Sequence, residues 1–125
     1  MRELEWVPGA FSVCRLASAE QADLSREFTF FAKTDEEISL VCETDAVPPG
    51  AAVAEHGWRM LRVKGELDFG LVGILAEIAR ALAEGGISLF VVSTYRTDYI
   101  LVKEKDCAKA LLQLRAAGYF LQEPG

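Results

Sequence analysis

Hydrophobic positions in the C-terminal half recur with two different periods. Met60, Leu61 and Val63 mark a short strand at 60–64. Leu71, Leu75, Ile78 and Leu82 then follow the i, i+4, i+7, i+11 rhythm of one helix face. This predicts a helix over 69–84, with Asp68 as its N-cap and Gly85-Gly86 as its stop. Residues 87–93 are rich in Ile, Leu, Phe and Val, as a buried strand is. Residues 94–98 form a turn and 99–103 the next strand. Asp106 opens a second helix with Cys107, Leu111 and Leu114 on one face and Gly118 at its end, and 119–122 suit a closing strand. The order β-α-β-β-α-β predicts an α+β, ferredoxin-like sandwich: an antiparallel sheet with both helices on one face.

A weaker copy precedes this unit. The string 34–41, Thr-Asp-Glu-Glu-Ile-Ser-Leu-Val, parallels 94–102, Thr-Tyr-Arg-Thr-Asp-Tyr-Ile-Leu-Val, when one residue is dropped from the first turn. Beyond the turn, Glu43 and Asp45 sit 61 positions before Glu104 and Asp106, and the same offset relates Gly57-Trp58 to Gly118-Tyr119. Agreements at one offset indicate an internal duplication. The first copy has only the polar stretch 17–27 where a helix belongs, and Val47-Pro48-Pro49-Gly50 breaks its second helix. The chain therefore divides into a degenerate repeat over 1–57, mostly strands, and a full unit over 58–125.

Composition narrows the function. The chain has 125 residues, 51% hydrophobic and 26% charged, which suits one compact domain or two small halves. A net charge of -6 disfavours nucleic acid and anionic membrane surfaces. The apolar stretch 85–92 is too short to span a bilayer, and no apolar h-region follows the acidic start, so a cytoplasmic protein is expected. Cys14, Cys42 and Cys107 are odd in number and lie within apolar patterns, the usage of reduced, packed thiols. With His56 as the single histidine and no CxxC pair, neither a metal site nor a cofactor is expected.

The segment 62–73, Arg-Val-Lys-Gly-Glu-Leu-Asp-Phe-Gly-Leu-Val-Gly, resembles the opening of an ACT domain, in which a strand enters a glycine-containing turn and then a helix. The run 86–103, with Ser93-Thr94-Tyr95-Arg96-Thr97-Asp98-Tyr99-Ile100-Leu101-Val102 at its centre, is similar to the subclass found in small bacterial tandem-ACT proteins, aspartate-kinase regulatory regions and the animal cytosolic arginine sensor. The resemblance covers 58–121 and reaches weakly back to Phe11. It implies a fold that binds a small metabolite, usually an amino acid, between neighbouring ACT units. The positions it implies for ligand binding are Asp68, Phe69, Gly70, Leu71 and Val72 at the helix opening, with Thr94, Tyr95, Thr97 and Asp98 on the strand–turn side. The truncated first repeat makes a site across a homodimer interface the natural arrangement.

The chemistry of these residues suits such a ligand. N–H groups at a helix opening attract a carboxylate, and Gly70 and Gly73 permit close approach. Asp98, and Asp68 beside it as a candidate, offer charge to an ammonium; Thr94, Thr97 and Tyr95 offer hydroxyls and a ring. Each also has a plain reading: Asp68 as helix cap, Asp98, Tyr95 and Thr97 as turn residues, Gly70 as a close-packing site. Two rival functions stand beside ligand sensing. One is a dimerisation module that regulates a partner without a metabolite. The other is a small enzyme, which the absence of a phosphate-binding loop and of a motif around His56 disfavours.

Overall fold

The computed structural model describes residues 2–64 and 73–124. Its elements run β1 (Leu4–Leu16), β2 (Phe30–Lys33), β3 (Ile38–Glu43), β4 (Val53–Val63), α1 (Ile74–Glu84), β5 (Leu89–Ser93), β6 (Asp98–Lys103) and α2 (Cys107–Ala116). The result is an α+β, ferredoxin-like fold built on antiparallel strand pairs. The chain divides into two compact units, Met1–Pro8 with Arg59–Gly125, and Gly9–Trp58. Strands β1 and β4 each contribute residues to both.

In the larger unit the strand order is β1-β4-β6-β5. Alternate residues of a strand face opposite sides of a sheet, and here one side carries Leu4, Leu61, Val63, Ile100 and Val102 into a core with Ile78, Leu82, Leu111 and Leu114 of the two helices. Both helices thus cover one face. Each ends in the same way. Gly86 (φ 71) and Gly118 (φ 96) take the left-handed conformation that glycine adopts without steric cost. The N–H of the next residue then bonds back across the last turn, Ile87 to the Leu82 carbonyl at 3.0 Å and Tyr119 to the Leu114 carbonyl at 3.0 Å. The same four side chains are buried together, the hydrophobic contact that accompanies this cap.

Three expectations change. Helix α1 begins at Ile74 with Gly73 as its N-cap in the left-handed conformation (φ 91); Asp68, the expected cap, lies outside the described residues. Residues 119–122 form no strand; they carry an isolated bridge from Phe120 to Glu3. The neighbour of β4 in this unit is instead the start of β1, with the Lys64 N–H on the Glu3 carbonyl at 3.0 Å. The sequence concealed β1 because Pro8-Gly9 interrupts it. Gly9 has φ 104, which kinks the strand without ending it.

The smaller unit has the order β2-β3-β1-β4. Its described helical segments are short 3-10 turns at Ala19–Gln21 and Thr44–Ala46, the second matching the 3-10 turn Glu104–Asp106 that precedes α2. Its core is small: Cys14, Leu16, Leu40 and Cys42, packed with Ala46, Val47 and Ala51 among others. Ser12, fully buried, hydrogen-bonds Thr44 Oγ1 at 2.9 Å and His56 Nδ1 at 2.7 Å.

Candidate functional site

Two hairpin turns are closed by the same bonds. In one, the Thr94 N–H donates to the Thr97 carbonyl at 2.9 Å and its Oγ1 donates there at 3.1 Å. In the other hairpin the Thr34 N–H donates to the Glu37 carbonyl at 2.9 Å and its Oγ1 at 3.4 Å. The strands that follow, Ile38–Glu43 and Asp98–Lys103, have the same length and the same burial pattern, and both lead into a 3-10 turn. Equivalent positions therefore lie 60 apart through this stretch, Leu40 with Ile100 and Val41 with Leu101. The one-residue gap and the match of Glu43 to Glu104 are corrected: Glu43 stands where Lys103 does. The offset of 61 applies only from Gly57 and Gly118 onward, both at positive φ.

Of the expected ligand positions, Asp68, Phe69, Gly70, Leu71 and Val72 lie outside the described residues. The other four share the β5–β6 turn. Tyr95 is 80% exposed at its tip. Thr97 is buried, and its Oγ1 donates to the Val63 carbonyl at 2.8 Å, tying the turn to the end of β4. Asp98 is half-buried, and its Oδ1 accepts from Ser93 Oγ at 2.6 Å, a bond across the last pair of the β5–β6 ladder. Charge-assisted acceptance of this kind fixes a carboxylate in direction. The turn thus presents an oriented carboxylate, an exposed phenol and the Thr94 hydroxyl within five residues.

Behind the turn lies a cleft of about 340 Å³ lined by Glu5, Arg62, Arg96, Thr97 and Tyr99. Arg62 reaches across to Glu5, with Nε and Nη2 each 2.9 Å from Oε1. Except for Thr97, these residues were not among the positions the sequence singled out. Glu5 and Arg62 are 57 apart in the chain and meet only because β1 pairs with β4.

Other reactive groups are placed for structure. Ser12 and His56 stand at the separation of a nucleophile and its base, but a fully buried hydroxyl has no access to substrate. Burial pushes the Cys14 and Cys107 thiols up, and burial beside Cys14 pushes Cys42 up to about 12, the reverse of activation. Tyr119 donates to Glu77 Oε1 at 2.5 Å, and burial together with that carboxylate raises the phenol above its ordinary range. Among the described residues no three His, Cys, Asp or Glu side chains are grouped to hold a metal ion. No described helix is long and apolar enough to cross a membrane.

Two helices over one face of an antiparallel sheet, with a polar turn between β5 and β6, make an α+β, ferredoxin-like architecture. A family model for the ACT domain matches residues 53–116, and the chain belongs to the ACT domain family. It is 39% identical over 70 residues to the cytosolic arginine sensor for mTORC1 subunit 1 of Rattus norvegicus, an alignment covering 54% of this chain and 21% of the relative. This chain therefore spans about a fifth of that protein's length. Among solved structures, a protein from Agobacterium tumefaciens superposes with a TM-score of 0.87 at 29% identity, covering 99% of this chain and 94% of the other. A putative C-terminal regulatory domain of aspartate kinase from Porphyromonas gingivalis shares the fold, with a TM-score of 0.57 at 16% identity over 94% and 95% of the two chains.

Proposed function

We propose that the chain is a non-catalytic, cytosolic regulatory protein that binds an amino acid at the β5–β6 turn together with segment 68–72. Family membership supports the class, and the related protein named as an arginine sensor supports the kind of ligand. The observation that carries the reading is the bond from Thr97 Oγ1 to the Val63 carbonyl. It ties the turn to the strand that leads into 65–73, the two stretches on which the expected ligand positions lie.

The roles divide by chemistry. Asp98, oriented by Ser93, meets the ligand's ammonium. Tyr95 supplies a ring edge or face for selectivity, and Thr94 a hydroxyl. Thr97 acts as the anchor that sets the turn's height. The expected partners of the carboxylate, in segment 68–72, lie outside the described residues. A second copy completes the site: β5 ends the strand order of its unit, and Leu89 and Val91 on it are only partly buried.

Thermal-shift screening of the proteinogenic amino acids tests this. A ligand at 100 times its Kd adds about 2.7 kcal/mol of stability. A shift with one amino acid or a small chemical group of them is the expected result. No shift with any of them, from a chain that is a stable dimer, would transfer the function to the edge strand and make the chain a dimerisation module.

A further inference from the structure

Two of the cysteines are neighbours inside the smaller unit. The β1–β3 register sets Cys14 opposite Leu40 and Ser12 opposite Cys42. Residues two apart on a strand share a face, so Cys14 and Cys42 lie diagonally across the ladder on one side of it. Both are buried in one cluster with Leu16 and Leu40, and their thiols stand within hydrogen-bond reach of each other. Diagonal neighbours sit about 7–8 Å apart at the backbone. That is slightly beyond the roughly 4.4–6.8 Å that a relaxed disulfide spans. The cover over the pair is thin: Ala22, Ala46, Val47 and Ala51 lie in loops and a 3-10 turn. Segments with few apolar contacts open at low cost. Cys107 is packed instead in the core of the larger unit.

We propose that Cys14 and Cys42 are an oxidisable pair, closed to a disulfide by a peroxide when the cover over the smaller core opens. One sulfur, as thiolate, attacks a peroxide oxygen; the O–O bond breaks and a sulfenic acid forms. The second sulfur then attacks the sulfenic sulfur, the S–S bond forms, and the hydroxyl leaves as water. Together the two thiols lose two electrons and two protons, and hydrogen peroxide becomes two waters. Burial raises both thiols in the closed fold, which keeps the pair inert until it opens. The diagonal register strains the product, since closing the bond draws β1 and β3 together. Strained disulfides are the ones that reducing thiols reopen. The pair is thus a reversible tether between β1 and β3, and it does not depend on amino-acid binding at Asp98.

The test treats the fully reduced chain with hydrogen peroxide in native buffer and, separately, in unfolding urea, followed by alkylation and peptide mapping without reduction. In native buffer the expected product links the Cys14 and Cys42 peptides, leaves Cys107 a thiol, keeps the circular dichroism spectrum and is reversed by dithiothreitol. In urea the three pairings compete, so selectivity for Cys14 with Cys42 should fall. Cys42→Ala keeps the core apolar and removes the resolving sulfur; there Cys14 should stop at a sulfenic acid that dimedone traps. Parallel alkylation of the native chain times the opening, and linkage should follow that time course. Cys14 and Cys42 that stay unlinked under peroxide, whether or not they are alkylated, overturn the proposal. So does a bridge from either to Cys107 in native buffer, or the same mixture of pairings from the folded and unfolded chains.

Discussion

Thr97 Oγ1 and the Val63 carbonyl oxygen are 2.8 Å apart in a buried setting, and this bond holds the β5–β6 turn against β4. Thr97→Val keeps the shape but leaves a buried carbonyl without its donor. Such a loss costs about 1–3 kcal/mol, so the denaturant midpoint should fall at unchanged m-value. Amino-acid affinity should fall as well, because the anchor sets the turn. A variant as stable as the parent would show that the bond contributes nothing.

The helix caps make a second prediction. Gly86→Ala and Gly118→Ala place a Cβ on residues at φ 71 and φ 96. Neither Cβ meets a neighbouring atom within 4 Å, so the cost is conformational alone, about 1–2 kcal/mol each. Gly85→Ala differs in cause: its Cβ would lie 2.7 Å from Gln113 Cγ, whose side chain donates to the Ala81 carbonyl. Urea denaturation of the three single variants, with Gly85→Ala combined with Gln113→Ala, separates strain from clash. Removing Gln113 should rescue only the clash.

Alkaline titration makes a third. The Tyr119 phenol is raised by burial and by Glu77, so the folded state holds its proton more tightly than the unfolded chain. This contribution is complete below the ordinary tyrosine range near pH 10 and is lost as pH rises beyond it. The denaturant midpoint should therefore decline above about pH 10. Tyr119→Phe should flatten that decline while lowering stability at neutral pH. Tyr119 should resist ionisation in a native-state absorbance titration.

Thiol accessibility supplies a fourth. All three cysteines are buried, and burial beside Cys14 pushes the Cys42 thiol up to about 12. Labelling by a thiol reagent at neutral pH should follow the opening of the fold rather than a fast phase. Rapid native-state modification of Cys14 or Cys42 would contradict their packing in the smaller core.

How far the fold could be read in advance depended on how local its signals were. The stretch from β5 to α2 was legible because apolar alternation, a four-residue hydrogen-bonded turn and terminal glycines all act within a few residues. Strand β1 was not, since Pro8-Gly9 reads as a break although Gly9 only kinks the strand. The start of α1 was misplaced because Asp68 and Gly73 are both good cap residues, and composition does not rank a side-chain cap against a left-handed backbone. The turn residues Thr94, Thr97 and Asp98 were visible as a string, yet the burial of Thr97 was not. Glu5 and Arg62 were beyond reach, since only strand pairing joins them.

The central claim rests on Asp98 as the ammonium partner of an amino acid. Isothermal titration of the responding amino acid into the parent chain and into Asp98→Ala tests it most directly. A saturable heat in the parent that disappears in Asp98→Ala, with the circular dichroism spectrum unchanged, is the predicted result. Equal affinity in both proteins, or no heat from any amino acid, would contradict it.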